Sequence, residues 1–101
     1  MSGRYVRVWE FLVRRGSEAE FERHYASGGS WVQLFRRGTG HTETLLLKDR
    51  TRRDRYFTVD RWESELAYRD FRRELAQAYD ELDRSCEGLT VRETVVGEFD
   101  E

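Results

Sequence analysis

Residues 4 to 13, RYVRVWEFLV, carry Tyr5, Trp9, Phe11 and Val13 on one parity and Val6, Val8 and Leu12 on the other. Neighbouring strand residues point to opposite faces, so this pattern predicts a strand that must be covered on both sides. Gly16 interrupts it, and Ser17 followed by Glu20 has the spacing of a capping box opening a helix with Ala19, Phe21, His24 and Tyr25. Gly28 and Gly29 end that helix. Ser30 is placed to cap a shorter helical turn, WVQLFRR, in which Trp31, Leu34 and Phe35 share a face, and Gly38 and Gly40 close it. Residues 41 to 48 and 55 to 62 read as two strands joined by the polar turn DRTRRD, a hairpin. Beyond Ser64, a predicted N-cap, apolar residues fall at Tyr68, Phe71, Leu75, Ala78, Leu82, Cys86 and Leu89, a spacing that suits one long helix and no strand. Residues 90 to 99, TVRETVVGEF, supply a fourth strand.

The order strand, helix, strand, strand, helix, strand predicts an α+β ferredoxin-like βαββαβ fold: one four-stranded antiparallel sheet with the helices on one face. The whole chain, 1 to 101, is expected to form a single such domain with its core between about residues 4 and 99, because no repeat, linker or low-complexity tract divides it. The second sheet face is left open, and several of Trp9, Phe11, Phe57, Val59, Val91 and Val95 are expected on it. An uncovered apolar face calls for a partner, and a second copy related by a two-fold axis is the commonest one, so a homodimer is expected.

Composition narrows the functional classes. Apolar residues make up 38% and aromatics 14% of the chain, enough to build a core although 38% is charged. A net charge of -2 argues against phosphate-backbone binding, and the third strand, RDRYFTVD, lacks the glycine-aromatic pattern of RNA-binding sheets, so no nucleic-acid partner is expected. Residues 1 to 55 hold 12 basic and 7 acidic groups against 6 and 13 in residues 56 to 101, a split that suits intramolecular or subunit contacts. One cysteine, Cys86, and two histidines far apart exclude a disulfide framework and any paired-thiol metal motif; no metal or other cofactor is expected. The start, MSGRYVRVWEF, lacks a signal-peptide core, and no run approaches the roughly 20 apolar residues that span a bilayer. A cytoplasmic protein with no membrane partner is the expectation.

The third strand carries the most suggestive chemistry. Trp62 shares its parity with Tyr56, Thr58 and Asp60, a row polar enough to line a wet cavity if it faces the helices. A carboxylate in such a row has its pKa raised by desolvation unless a cation answers it, which is the condition for a general base taking a phenolic proton; the alternative for Asp60 is a salt bridge to one of 17 arginines. His24, beside Phe21 and Tyr25, is a second candidate base or an exposed helix residue. Trp31 and Phe35 would form a lid or end wall of the cavity or part of the core, Trp62 a cavity wall or a hydrophobic staple, and Tyr68 a ligand contact or a member of the Phe71 and Leu75 stripe. The RTRRDR run reads as a solvated turn and Cys86 as an inert packing residue.

The segments GGSWVQLFRRGTGHTETLLL, YFTVDRWESELAYRDF and AYDELD resemble the antibiotic biosynthesis monooxygenase domains of the dimeric α/β-barrel superfamily, over about Tyr5 to Phe99. The resemblance implies a homodimer whose sheets pack face to face, each protomer holding a cavity between its sheet and helices. It also implies oxidation of aromatic phenols to quinones by molecular oxygen without metal or flavin, although relatives degrade heme and many have no known reaction. In the quinone-forming members a Trp ends the third strand, with a Tyr six residues later, an Asn four residues earlier and an Arg from the long helix. Trp62 and Tyr68 match the first two. Thr58 stands at the place of the Asn in a chain that contains none, and Arg84 lies near the Arg but out of register. The heme-degrading pattern is unmatched: Trp9 stands in place of a first-strand Asn, and Tyr79 or Asp80 in place of a late His. The expected site is therefore Asp60, His24 and Trp62 for catalysis, with Trp62, Tyr68, Thr58, Trp31, Phe35 and Tyr56 around a small hydrophobic or aromatic ligand. A noncatalytic ligand-binding or structural dimer is the competing expectation, favoured by the missing Asn.

Overall fold

The computed structural model describes residues 4–101. Strand β1 (Tyr5–Val13) leads through α1 (Glu18–Tyr25) and α2 (Ser30–Phe35) to the hairpin of β2 (His41–Lys48) and β3 (Arg55–Trp62). Helices α3 (Glu65–Glu74) and α4 (Ala76–Cys86) follow, then a short 3₁₀ turn (Glu87–Leu89) and β4 (Thr90–Asp100). The strands form one antiparallel sheet in the order β2-β3-β1-β4, the ferredoxin-like arrangement that the alternation of strand and helix periods predicts.

The structure settles which parity looks inward. Tyr5, Phe11 and Val13 of β1 and Tyr56, Thr58, Asp60 and Trp62 of β3 are all buried, and the apolar members pack with Phe21, Tyr25, Trp31, Phe35, Tyr68 and Phe71 from the helices. Trp9 pairs with Thr58 and Phe11 with Tyr56, so both point to the helices; the expectation that placed them among the open-face candidates is corrected by this register. Phe57 and Val59 do lie on the open face, beside Leu45 and Leu47 of β2 and Phe99 of β4.

Local chemistry explains the joints. Gly16 adopts φ +90, a conformation that costs a side-chain-bearing residue, and turns the chain from β1 into α1. The expected Ser17 capping bond is not made; instead the Glu18 carboxylate accepts from the Gly16 N–H at 2.9 Å. Ser30 likewise does not cap α2, because its hydroxyl is engaged with His24. Ser64 does cap α3, accepting from the Ala67 N–H at 3.1 Å. The single long helix of the sequence reading is bent at Leu75, whose φ of -115 and ψ of 30 leave helical space. The ladder continues across the bend, with Leu75 N–H to Phe71 O and Tyr79 N–H to Leu75 O both 2.9 Å, so each half keeps its apolar stripe on the twisted sheet. No helix among the described residues is long and apolar enough to cross a membrane.

Candidate functional site

One end of the helix-covered layer is dry. Trp62 is fully buried, with ring centroids of Phe35, His41, Tyr68 and Phe71 all 5.1–5.5 Å from its own. Such tilted and edge-to-face neighbours are the favoured aromatic geometry. Gly40 lets β2 and α3 close over it: a Cβ there would stand 2.3 Å from the Ala67 Cβ. Among the described residues, the Trp62 and Trp31 Nε1 atoms are buried without a hydrogen-bond partner.

Two residues back along β3 the environment changes. A cavity of about 50 Å³ opens between sheet and helices, lined by Trp9 and Phe11 from β1, Thr58 and Asp60 from β3, and Thr44 from β2. Tyr25, Trp31, Phe35 and Tyr79 close it from the helices, and Asp83 and Glu93 stand at its exposed rim. A ligand pocket typically occupies about 300–1,000 Å³, so in this state the cavity is large enough for water but too small for a ring system. Trp9 and Tyr79 are only half-buried and the rim carboxylates are exposed, so this is the side that faces solvent.

Asp60 is the one carboxylate deep in that cavity. It is 7% exposed, and burial pushes its pKa up from 3.8 to about 6 against the opposing pull of the Thr44 hydroxyl and the Arg7 guanidinium. The Thr44 hydroxyl is 2.8 Å from Asp60 Oδ1 and 2.8 Å from His41 Nε2. A β-bulge makes this possible: His41 pairs with Trp62 and Glu43 with Arg61, so one extra residue, Thr42, brings His41 and Thr44 to the same sheet face. Burial and the Arg36 charge lower the His41 pKa, a backbone contact at Glu43 opposing them.

The sequence-derived candidates divide accordingly. Asp60, Thr58, Trp31 and Phe35 line the cavity together. Trp62, Tyr68 and Tyr56 share the buried layer but are not on its wall. Tyr56 donates to Glu22, and Tyr68 accepts from Arg72 at 3.0 Å beneath the Arg7 guanidinium, 4.7 Å from its ring. Trp62 thus occupies the staple-like core position rather than a cavity wall. His24 sits apart, with Nδ1 2.8 Å from Ser30 Oγ and Nε2 3.9 Å from Glu20, and does not reach the cavity. Cavity residues that sequence reasoning did not select are Trp9, Phe11, Tyr25, Thr44, Tyr79, Asp83 and Glu93. Only the β1 parity shared with Tyr5 and Val13 signalled Trp9 and Phe11. Thr44 depended on the bulge, which nothing in the alternation announces.

Among the described residues, no group of three His, Cys, Asp or Glu is arranged to hold a metal. The cavity walls are mainly aromatic, and Asp60 is the buried carboxylate among them.

No protein-family profile matches the chain, and no curated protein does either. Solved structures do match. SnoaB, a cofactor-independent oxygenase from Streptomyces nogalater, is 25% identical over 99% of this chain and 94% of its own, with a TM-score of 0.80. A Bordetella bronchiseptica protein provisionally assigned as an antibiotic biosynthesis monooxygenase gives 0.77 at 22% identity, covering 99% of this chain and 98% of its own. PA3566 from Pseudomonas aeruginosa gives 0.74 at 16%, covering 100% and 96%.

Proposed function

We propose that this chain, whose fold is that of the antibiotic biosynthesis monooxygenase domains, is a cofactor-independent monooxygenase that oxidises a small aromatic phenol with molecular oxygen. The observation that carries the reading is Asp60, a buried carboxylate with a pKa near 6 inside an aromatic-walled cavity. A phenol loses its proton near pH 10, and each pKa unit between donor and acceptor is worth about 1.4 kcal/mol. Raising the acceptor from 3.8 to about 6 therefore makes the transfer less uphill by roughly 3 kcal/mol, while the carboxylate stays largely ionised at neutral pH.

The proposed reaction starts when Asp60 accepts the phenolic proton. The resulting phenolate is electron-rich and reduces oxygen by one electron; the two radicals then combine at the ring carbon to be oxidised. For an anthrone-like substrate, the methylene carbon becomes a carbonyl. One oxygen atom remains in the quinone, and the other leaves as water with the two methylene hydrogens. Trp9, Trp31, Phe35 and Tyr79 hold the ring system, and Thr58 offers a hydroxyl at the wall. Substrate entry requires the Tyr79, Asp83 and Glu93 side of the cavity to move outward, because 50 Å³ does not admit it.

The protein acts in this reading as a cytoplasmic homodimer. Support comes from the open sheet face, where Leu45, Leu47 and Phe99 are exposed at 37%, 50% and 47% beside Phe57 and Val59. Leu47→Glu with Val59→Glu should convert a dimer to a monomer in sedimentation at micromolar concentration; a monomeric parent protein contradicts the assembly.

The second reading, a noncatalytic binding protein, is favoured by the small cavity and by Thr58 at the Asn position. Oxygen uptake with a panel of anthrones and simpler phenols separates the two. The enzyme reading expects turnover above autoxidation, lost in Asp60→Ala and retained in Trp62→Phe. Binding without oxygen uptake supports the alternative.

A further inference from the structure

His41 has no part in the reaction outlined above, yet it is joined to the cavity base by two 2.8 Å contacts through one hydroxyl. A threonine hydroxyl carries a single hydrogen, so it cannot donate to both neighbours at once. If Asp60 is ionised, that hydrogen belongs on Asp60 Oδ1, and Thr44 Oγ1 must accept from a protonated Nε2. If Asp60 carries a proton on Oδ1, the hydroxyl accepts from it and donates to a bare Nε2. The two ends of the chain therefore cannot be set independently.

We propose that His41, Thr44 and Asp60 form one proton-coupled unit in which His41 is a positioning residue, its Nε2 hydrogen holding the Thr44 hydroxyl as a donor to the ionised Asp60. Protonation of Asp60 at Oδ1 reverses the hydroxyl and moves the imidazole hydrogen from Nε2 to Nδ1 by exchange with solvent. The imidazole stays neutral in both states, and the net change is one proton gained by the carboxylate. The Glu43 backbone opposes the lowering of the His41 pKa and so favours a hydrogen on the ring. While Thr44 occupies Oδ1, the remaining oxygen, Oδ2, is the one available to a substrate hydroxyl.

The other charged and titratable groups around the unit are placed to bias it without entering it. Arg7 from β1 acts on Asp60, and Arg36 at the end of α2 acts on His41. Glu43 lies beside His41 on the strand, while Tyr25 of α1, Tyr79 and Asp83 of α4 and Glu93 of β4 face the cavity. Trp62 and Phe35 flank the imidazole ring at 5.3 and 5.2 Å and fix its plane, which an exposed histidine would not have.

The meaning of the unit for catalysis rests on Asp60 being the proton acceptor, but its test does not. Carboxyl ¹³C and imidazole ¹⁵N shifts are followed against pH in the unliganded protein, with no substrate. The expected result is a His41 tautomer change at the Asp60 midpoint, absent in Asp60→Asn and in Thr44→Val. Loss of the cooperative donor in His41→Phe should raise the proton affinity of Asp60 about threefold, Thr44→Val should raise it at least as much, and His41→Gln, which retains an N–H donor, should restore most of it. An Asp60 midpoint unchanged in His41→Phe, or His41 nitrogen shifts indifferent to Asp60→Asn, overturns the proposal. The wild-type tautomer measurement stands even if a variant does not fold. A protein that shows the coupled titration yet consumes no oxygen retains this inference and loses the enzymatic reading.

Discussion

Asp60 and Trp62 lie two residues apart on one strand and one face, yet they inhabit different media. Trp62 is sealed among rings at the sheet end, where Gly40 admits α3 to van der Waals range. Asp60 looks into a cavity whose walls are aromatic but whose floor carries two threonines and a carboxylate. Close packing is the source of stability at the first position, and incomplete packing leaves room beside a carboxylate of raised pKa at the second. The contrast also explains why a motif centred on Trp62 points to the right neighbourhood while the proposed base, Asp60, sits one pleat away.

Substitutions sharpen that contrast in order of size. Trp62→Ala should cost about 3–5 kcal/mol in denaturant unfolding, the range for deleting a buried large aromatic, whereas Thr58→Ala at the cavity floor should cost less than about 1 kcal/mol. Equal costs at the two sites would erase the distinction.

The next effect is electrostatic and depends on pH. The Asp60 pKa is raised on folding, so its contribution to stability is fully present below its ordinary value of 3.8 and is lost as pH rises through about 6. The loss approaches an order of 3 kcal/mol above pH 7, from about two pKa units. Asp60→Asn removes this titration, so the unfolding free energy of the wild type relative to the variant should fall by that order between pH 3.5 and pH 8. A flat difference across that window would mean that Asp60 is solvated or salt-bridged.

The smallest effect concerns the edge of the dry region. Tyr68→Phe removes a hydroxyl that accepts from Arg72 and leaves the ring beneath Arg7 in place, so it should cost about 1 kcal/mol and leave oxygen chemistry unchanged. A large loss of turnover there would bring Tyr68 into the reactive site.

Much of the fold was legible in the chain, because the period changes from two to between three and four at Gly16 and Ser64, and the turn residues punctuate each switch. The strand bounds of the hairpin follow directly from the alternation around DRTRRD. The site was legible only in part. Asp60, Thr58, Trp31 and Phe35 could be picked by residue type and parity, but which parity faced inward is a tertiary fact fixed by pairing with β1. Tyr79 and Asp83 reach the cavity because the helix bends at Leu75 without proline or glycine to mark it. Thr44 and His41 meet because Thr42 is a bulge, and a single inserted residue is invisible to a pattern of period two.

The central claim, that an ionised Asp60 takes the substrate proton, is tested most directly by the pH dependence of kcat/KM for phenol-driven oxygen uptake, wild type against Asp60→Asn. The account predicts a wild-type rate that rises with pH through a midpoint near 6, and a variant lower by roughly 10²- to 10⁴-fold in which that limb is gone. A variant that keeps both the rate and the acidic limb contradicts it.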